Sequence, residues 1–452
     1  MIFADHALLP DGWAEGVRVI VQDGRLSDIR TGARAEPGDL RVSALLPALS
    51  NLHSHAFQRA MAGMTEHRSG GQDSFWTWRQ VMYRFLDHLT PDQIEAIAAL
   101  AYMEMMEAGF AAVAEFHYLH HQPGGTAYDD PAELSGRILA AADQTGIGLT
   151  HLPVLYTHGG AGCQPLSEQQ RRFGCTLDRF AQIMAAVAVQ MPALPADARL
   201  GLAPHSLRAT SPDDLARLTD LARGGPVHIH IAEQPREVAE MLAWLGARPV
   251  EWLVANLPVD AQWCAIHATH MTPAESRALA ATGAVAGLCP ITEANLGDGP
   301  FDGPGWLAAG GAFGLGSDSN VRISLTEELR TLEYSQRLRD LARNVMLTGE
   351  GSLGTALYTG AARGGAQALG RASGALKVGL WADLMAIDAT HPALCALPAD
   401  RLLDGLAFAA PDGVITDVWA AGRHQVRGGR HIARDQIIRG WRQTVTALKG
   451  LI

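Results

Sequence analysis

The chain has 452 residues, of which 48% are hydrophobic and 18% are charged, and its formal net charge is −11 at pH 7. This is the composition of a globular protein that can bury a large core, and it excludes a mainly disordered chain. The acidic balance and the lack of a basic stripe argue against nucleic acid and anionic membranes as partners.

The two ends of the chain are both rich in predicted strands. Near the N-terminus, two β-rich runs flank Asp23-Gly24, which is a two-residue hairpin signal. Similar runs recur at residues 379–388, close to the C-terminus. We therefore predict one small β domain built from both chain ends, residues 1–46 and 373–452, next to a larger domain formed by residues 47–372.

The sequence indicates neither secretion nor membrane insertion. Its N-terminus lacks the basic, apolar and small-residue order of a signal peptide, and no apolar run approaches membrane-spanning length. The five cysteines have no C-x-x-C spacing, which argues against a disulfide framework and against a thiolate zinc site. We expect a cytoplasmic protein with reduced cysteines, at Cys163, Cys175, Cys264, Cys289 and Cys395.

Between the two ends, apolar β-like runs alternate with helical segments, as in repeated βα units around a parallel sheet. Helix starts are marked by a hydroxyl N-cap followed by proline at Thr90-Pro91, Ser211-Pro212 and Thr272-Pro273. Eight alternations predict an α/β fold, a (β/α)8 TIM-like barrel with insertions. An open doubly wound sheet is the alternative, although no G-x-G-x-x-G loop follows an early strand. The predicted strands are residues 49–55, 111–116, 148–155, 200–203, 227–232, 264–267, 284–287 and 312–316.

The first predicted barrel strand ends in two histidines that are one residue apart. Because side chains alternate along a strand with a period of two, His53 and His55 project from one face and can bind one metal ion. Most His-x-His pairs arise by chance, so the pair alone is a weak signal. A metal site needs further ligands from other strands.

Side chains that can bind a metal ion lie near the ends of three more predicted strands. His230 lies in the fifth, His267 ends the sixth and Asp318 follows the eighth. In a barrel, the C-terminal ends of the strands bring reactive side chains together. Three imidazoles and one carboxylate suit Zn²⁺ or Fe²⁺ and leave a position for water. We assign His53, His55, His230 and Asp318 as the metal ligands.

Other residues bear on the number of metal ions. His228 faces the opposite side of its strand from His230, so we predict a packing role for it. Some metallohydrolase barrels bridge two ions with a modified lysine, but Lys377 and Lys449, the two lysines of this chain, lie outside the predicted barrel. Glu115, at the end of the second strand, is an alternative bridge. We predict a single ion, Zn²⁺, with Fe²⁺ as the alternative.

The ligand pattern resembles that of the amidohydrolase superfamily, which is matched by Asn51-Leu52-His53-Ser54-His55, His230, His267 and Asp318. The strand-rich chain ends look like the composite β-sandwich of that superfamily. The resemblance to the formimidoylglutamate deiminases of histidine degradation is closer and spans nearly the whole chain. It implies hydrolysis of N-formimidoyl-L-glutamate to N-formyl-L-glutamate and ammonia. The blocks that carry it are residues 51–61, 115–118, 228–234, 289–299 and 316–320.

The expected mechanism follows from charge. Zinc lowers the pKa of its bound water towards neutrality, so that a hydroxide can attack an electrophilic carbon. His267 and Asp318 are expected to accept and hold the proton of that water. The resemblance implies that Glu233 is the acid–base group that protonates the substrate nitrogen as ammonia leaves. Without a metal nearby, Glu233 would be an ordinary carboxylate at a helix entry.

The substrate requires its own recognition groups. A glutamate derivative carries two carboxylates, which a dry pocket would bind with bidentate arginines and with hydroxyl or imidazole donors. Trp76 and Trp78 lie in a segment that is either a lid or part of the core. The resemblance implies that the substrate is contacted by Gln58, Arg79, Tyr118, His205 and Arg208.

Two other functions stay open. A guanine- or cytosine-type nucleobase deaminase of the same superfamily would hold its ring with amide donors and aromatic partners, so Arg79 and Arg208 would matter little. A metal-stabilised binding protein without catalysis would release no ammonia from any amidine or amide. A homodimer is usual for such barrels, and we expect one here.

Overall fold

The computed structural model describes residues 1–67, 74–222 and 224–449. Within these ranges, no helix combines the length and the apolar character needed to cross a bilayer. The strands are β1 (Ile2–Leu9), β2 (Gly12–Gln22), β3 (Arg25–Arg30), β4 (Leu40–Pro47), β5 (Leu49–Ser54), β6 (Phe110–His117), β7 (Gly148–Leu155), β8 (Arg199–Leu200), β9 (Ala203–Pro204), β10 (Val227–Ile231), β11 (Trp263–His267), β12 (Val285–Leu288), β13 (Ala312–Leu315), β14 (Leu384–Ile387), β15 (Ile415–Ala420), β16 (Arg423–Arg427) and β17 (Arg430–His431). The α-helices are α1 (Phe75–Leu86), α2 (Pro91–Glu107), α3 (Glu133–Thr145), α4 (Leu177–Gln190), α5 (Pro212–Leu218), α6 (Pro235–Leu245), α7 (Pro249–Asn256), α8 (Pro273–Ala281), α9 (Pro290–Leu296), α10 (Gly303–Ala308), α11 (Leu325–Asp340), α12 (Leu353–Ala368), α13 (Leu402–Phe408) and α14 (Arg434–Leu448).

The strands from the two chain ends form one sheet, in the order β17-β16-β15-β14-β4-β1-β2-β3. Strand β4 pairs antiparallel with β14, with Pro47 opposite Leu384, so segments from opposite ends of the chain meet in the middle of the sheet. The sheet also folds over, because the Leu26 N–H in β3 donates to the carbonyl of Leu380, 2.9 Å away and close to β14. The predicted sandwich is confirmed, whereas the division at residues 46 and 372 stays a prediction. The separate core of this sheet consists of Ile2, Ala4, Ala7, Val17, Val19, Leu26, Val42, Leu45, Leu376, Ala382, Leu384, Ala386 and Trp419.

The predicted hairpin joins β2 to β3. Asp23 and Gly24 have φ angles of 50° and 76°, and a two-residue turn that matches the twist of the strands needs positive φ at both positions. Gln22 therefore pairs directly with Arg25 across the turn.

The barrel consists of parallel strands in the order β5-β6-β7-β8 and β10-β11-β12-β13, with β9 continuing the course of β8. The ring closes through parallel bridges from Leu202 to Val227 and from Ser54 to Asp318. Every residue of β6 and β7 is buried, as expected for parallel strands that helices cover on the outside. The predicted (β/α)8 barrel is thus confirmed, and its C-terminal strand ends form one rim.

The fourth barrel strand differs from the prediction of one strand at residues 200–203. It is interrupted at Gly201 and Leu202, because the Gly201 N–H donates to the carbonyl of His151 in β7 and the Leu202 N–H donates to Pro226 on the other side. The backbone thus changes partners in mid-strand. A Cβ at Gly201 would lie 2.4 Å from the carbonyl oxygen of Pro226, so this position needs glycine.

The three predicted helix starts are confirmed. Thr90, Ser211 and Thr272 are the N-caps of α2, α5 and α8, and each side chain accepts a hydrogen bond from a backbone N–H three residues further on. Proline occupies the next position in all three helices, where no N–H is required.

A buried charge cluster ties the barrel to the terminal sheet. Arg371 donates to Asp197, which precedes β8, at 2.7 Å and to Asp383, which precedes β14, at 2.6 Å. Arg423 on β16 donates to Asp197 as well, at 2.7 Å. Burial raises the pKa of Asp197, but the hydrogen bonds and charges of the two arginines outweigh it and lower that pKa to about 2.

Candidate active site

Histidines from three different strands converge at the C-terminal rim of the barrel. The Nε2 atoms of His53 in β5 and His230 in β10 lie 3.1 Å apart. His267, the last residue of β11, and Asp318, which follows β13, complete a group whose ligand atoms all lie within 4.8 Å of one another. All four residues are buried. The structure therefore brings together side chains that are up to 265 positions apart.

His55 lies beside this group rather than at its centre. Its Nε2 is 3.4 Å from Oδ1 of Asp318, and Nε2 of His53 is at the same distance from the same oxygen. The closest group of four contains His267 instead of His55. The assignment of His55 as the fourth ligand stays a prediction.

Backbone carbonyls fix the tautomers of two of these rings. Nδ1 of His55 is 3.0 Å from the carbonyl oxygen of Phe116, and Nδ1 of His230 is 3.0 Å from that of His205. A carbonyl only accepts, so each Nδ1 carries the proton and each Nε2 presents a lone pair. The lone pair of His55 thus faces Oδ1 of Asp318 at 3.4 Å, and the lone pair of His230 faces Nε2 of His53 at 3.1 Å. A cation resolves this arrangement, and the donor set fits a divalent metal ion.

The charge states of the group agree with metal ligation. Burial lowers the pKa of His53 to about 3, and it also lowers the pKa of His55 and of His230. These rings are therefore neutral, which is the form that binds metals. Burial raises the pKa of Asp318, but its histidine neighbours, His53 above all, hold that pKa well below its usual value.

A hydrogen-bond network holds Asp318 at the end of β5. Asn51 donates to Ser317 Oγ at 2.6 Å and accepts from the Ser317 N–H at 3.0 Å. Asn320 donates to the carbonyl of His55 at 3.2 Å. Asp318 and Asn320 have φ angles of 47° and 54°, a backbone region that aspartate and asparagine tolerate better than most residues. The hydrogen bonds thereby fix the turn at Gly316-Ser317-Asp318 against β5, the strand that carries His53.

His267 differs from the other histidines, because carboxylates surround it. Its Nδ1 lies 3.2 Å from Glu293 Oε1, and its Nε2 lies 3.7 Å from Glu233 and 3.8 Å from Asp318. Burial lowers the pKa of His267, but Glu233, Glu293 and Asp318 outweigh it and raise the pKa to about 10. This imidazole is suited to hold a proton next to the metal group.

Glu233 lies just beyond His230, between His267 and Arg208. Its Oε2 is 3.8 Å from the Arg208 guanidinium, and burial, the largest influence, raises the pKa of its carboxyl group. A neighbouring carboxylate, Glu237, accepts from the N–H groups of Ala232 and Glu233 at 3.2 and 3.1 Å. Glu237 therefore fixes the backbone that carries Glu233.

The sequence analysis missed Glu237 and gave Glu293 no role. Both lie in the first turn of a helix that begins with proline, α6 and α9, directly after a barrel strand. Each reaches back to backbone N–H groups at the strand end, since Glu293 also accepts from the Cys289 N–H at 2.9 Å. An acidic residue at the third or fourth helical position directly after a barrel strand is the signal that could have identified them.

One cavity opens onto this group, with an empty volume of about 450 Å³. Gln58 donates to the Tyr118 hydroxyl at 3.0 Å, and Arg79 on α1 donates to the Tyr156 hydroxyl at 2.8 Å. All five predicted substrate contacts line the cavity. Its walls are formed by His55, Gln58, Phe75, Trp78, Arg79, Met82, Tyr118, His205, Arg208, His230, Glu233, His267, Leu296 and Asp318.

Three further predictions concern residues around the site. His228 faces away from the barrel axis and its Nε2 lies 2.8 Å from the carbonyl of Ala368 on α12, as predicted for a packing residue. Glu115 accepts from the Ala56 N–H at 2.8 Å, burial raises its pKa to about 8, and it is not part of the group of four ligand residues. Trp78 lines the cavity, and the lid role of its segment stays a prediction.

The chain matches two family models. The model of the Amidohydrolase family matches residues 44–424, and the model described as the N-terminal domain of formimidoylglutamate deiminase HutF matches residues 1–43. A formimidoylglutamate deiminase from Pseudomonas aeruginosa is 51% identical over 452 residues, which cover 99% of this chain and 99% of that protein. An 8-oxoguanine deaminase from the same organism is 28% identical, over 92% of this chain and 95% of its own.

Solved structures share the fold. The crystal structure of an amidohydrolase from Brucella melitensis superimposes with a TM-score of 0.95 at 49% identity and covers 99% of both chains. A zinc-bound adenosine deaminase from Xanthomonas campestris has a TM-score of 0.83 at 22% identity, over 99% of this chain and 98% of its own.

Proposed function

The chain belongs to the amidohydrolase family, and on this premise we propose that it hydrolyses N-formimidoyl-L-glutamate to N-formyl-L-glutamate and ammonia. One observation carries the proposal: the buried imidazole and carboxylate group and two arginines lie around a single cavity. The 51% identical formimidoylglutamate deiminase supports this choice of substrate.

The proposed metal ligands are His53, His55, His230 and Asp318, which would hold one Zn²⁺ ion, with Fe²⁺ as the alternative. The neutral imidazoles support this assignment, and so do the Nε2 atoms of His53 and His55, which both lie 3.4 Å from Oδ1 of Asp318. When bound, a divalent ion acts as a Lewis acid that lowers the pKa of water towards neutrality.

Proton transfer is proposed to use Asp318, His267 and Glu233. Asp318 Oδ2 is placed to take up the proton that an attacking water loses, and the protonated His267, whose Nε2 is 3.8 Å from that oxygen, stabilises the negative charge beside it. Glu233, whose carboxyl pKa is raised, is 3.7 Å from His267 and can give its proton to the departing substrate nitrogen. The formimidoyl carbon gains the oxygen of water as its double bond to the terminal nitrogen opens. Both protons of that water are passed to the terminal nitrogen, the remaining carbon–nitrogen bond breaks, and the nitrogen leaves as ammonia.

The two carboxylates of the substrate are proposed to bind at Arg79 and Arg208, with Gln58, Tyr118 and His205 completing the contacts. Arg208 lies 3.8 Å from Glu233, so one carboxylate would be held near the proton donor. No carboxylate of the described ranges pairs with Arg79. A half-buried guanidinium without a counterion is matched best by a carboxylate of the ligand.

The alternative is a nucleobase deaminase, which the 28% identical 8-oxoguanine deaminase keeps open. A neutral heteroaromatic ring offers no charge to Arg79, and no amide side chain besides Gln58 lines the cavity in the part of the chain that the structure describes. The linear dicarboxylate therefore fits better. The homodimer and the cytoplasmic location stay predictions, and light scattering on the purified protein tests the dimer.

The decisive experiment measures ammonia release from formimidoylglutamate, guanine and cytosine in parallel, with the metal content determined on the same sample. We expect turnover of formimidoylglutamate alone and about one ion per chain. Turnover of a nucleobase in its place would overturn the proposal. Release of ammonia from none of them, by protein with a full metal content, would favour a binding protein.

A further inference from the structure

We infer that Tyr156 is a positioning residue for Arg79, and that it thereby sets the affinity of the site for a substrate carboxylate. The inference rests on the proposed function and deepens it, since neither the sequence analysis nor the comparisons assign a role to Tyr156. The residue follows β7 directly, at the rim of the barrel, and is 2% exposed.

Two donors converge on the Tyr156 hydroxyl oxygen. Nη2 of Arg79 donates to it at 2.8 Å, and Nε2 of Gln170 donates to it at 2.9 Å. A phenol oxygen has two acceptor positions, and both are therefore occupied. Gln170 is fixed in turn, because it also donates to the carbonyl of Gly159 at 3.0 Å and accepts from the Ser167 N–H at 2.9 Å.

Arg79 needs this support because it lies on a helix outside the barrel. Its remaining neighbours are aromatic rings, with Cζ 5.3 Å from the centre of the Tyr83 ring and 5.9 Å from that of Trp76. Within the described ranges Tyr156 supplies its hydrogen-bond acceptor, and no ion pair holds it. A ligand binds less tightly when it must order a long side chain that otherwise adopts several rotamers, because the ordering costs conformational entropy.

The segment around Gln170 also anchors α1 as a whole. Arg172 is buried, and its guanidinium donates to the carbonyl of Leu86, at the C-terminal end of α1, and to that of Leu89 at 2.6 Å. The connection between β7 and α4 thus holds α1 at its end and, through Tyr156, at the arginine that faces the cavity. This geometry pre-organises Arg79 before a ligand arrives.

The test is a double-mutant cycle of Tyr156→Phe and Arg79→Ala in the full-length holoenzyme. We expect Tyr156→Phe to raise KM for formimidoylglutamate about 10-fold while kcat changes less than about 3-fold, as for a lost hydrogen bond to a charged group. If Tyr156 acts through Arg79, the double variant has the KM of Arg79→Ala alone. If the KM increases of the two single variants multiply in the double variant, the inference is overturned. An unchanged KM in Tyr156→Phe would overturn it as well.

Tyr83→Phe is the matched control. It removes a buried phenol hydroxyl that makes no hydrogen bond to Arg79, and it keeps the ring beneath Arg79. We expect its KM to stay within about 2-fold of the wild type, since no hydrogen bond to a charged group is lost. An equal rise in KM for both phenylalanine variants would show a general packing effect and overturn the inference.

Calorimetric binding of N-formyl-L-glutamate separates this inference from the proposed function, because binding needs no turnover. A wild type that binds this dicarboxylate about 10-fold more tightly than Tyr156→Phe supports the inference, even if no ammonia is released from formimidoylglutamate. Equal affinities of the two proteins would overturn it, even if the wild type is fully active.

Discussion

Nε2 of His53 lies 3.1 Å from Nε2 of His230, although 177 positions separate the two residues in the chain. Two neutral imidazole nitrogens at this distance compete for one proton or share one cation. The nearby Asp318 carboxylate, 3.4 Å from His53, favours the cation. The stability of this part of the barrel is therefore linked to metal binding.

Metal removal should abolish activity and lower the melting temperature. A chelator takes away the cation that offsets the converging lone pairs, and the folded state loses the free energy of metal binding. Activity assays, calorimetric melting and elemental analysis before and after treatment with zinc check this outcome. Retained activity at less than about a tenth of the metal content would contradict it.

His230→Asn should lose the metal, whereas His228→Asn should keep it. The two histidines lie on the same strand, but His230 faces Asp318 and His228 faces Ala368 on the outside of the barrel. Elemental analysis of both purified variants compares them directly. Equal metal contents would show that His230 is not a ligand.

Glu233→Gln should lower kcat by about 10²- to 10⁴-fold, because the amide cannot donate or accept the transferred proton. Metal content and melting temperature should stay near those of the wild type. Glu240→Gln on α6, the helix that follows Glu233, is the control, since Glu240 pairs with Arg236 at the surface. Steady-state kinetics of both variants check the prediction, and a kcat within about 3-fold of the wild type for Glu233→Gln would contradict it.

Arg208→Ala should lower kcat/KM for formimidoylglutamate by roughly 10- to 100-fold, because the site loses a charged hydrogen-bond donor next to Glu233. Arg217→Ala, which removes an exposed arginine of α5, should change neither kcat nor KM. A nucleobase deaminase would tolerate the loss of Arg208. Kinetics with formimidoylglutamate and with guanine therefore distinguish the two functions.

Asp197→Asn should destabilise the folded protein by about 3–5 kcal/mol at pH 7, because it leaves two arginine charges without their shared carboxylate. The folded pKa of Asp197 is about 2, below the ordinary aspartate value of 3.8. Its contribution is thus present above pH 4 and is lost as the pH falls towards 2. Urea unfolding at pH 7, 4 and 3 measures the free energy of unfolding of both proteins. The difference between the variant and the wild type should become smaller below pH 4.

Asp178→Asn is the control for that series. Asp178 and Arg217 form an exposed pair at 3.8 Å, which contributes little to stability at any pH. A gap between wild type and Asp197→Asn that is constant from pH 7 to 3 would contradict the assignment of the low pKa.

The fold and the choice of metal-binding strands were predictable because both depend on local patterns. A period of two placed His53 and His55 on one face, and alternation of apolar runs with capped helices indicated the barrel. The end of each strand in a barrel lies at the same rim, so His230, His267 and Asp318 could be grouped without any contact information.

The supporting residues could not be predicted, since their contacts cross long stretches of the chain. Tyr156 meets Arg79 across 77 positions, and this contact depends on how α1 packs on the barrel. Glu293 reaches His267 across 26 positions, and its place in the first turn of α9 does not indicate which side chain it contacts. The membership of His267 in the group of four ligand residues depends on side-chain torsions, which spacing does not report. The break in the fourth strand likewise reflects a change of backbone partners.

The pairing of β4 with β14 also affects how the protein is made. Their paired residues Pro47 and Leu384 are about 340 positions apart, so a ribosome that adds about 5–20 residues per second needs roughly 20–70 s to deliver the second strand after the first. During that interval the nascent chain displays β4 as an open edge able to pair with another chain. Protection of that edge by a chaperone during translation would therefore favour correct assembly.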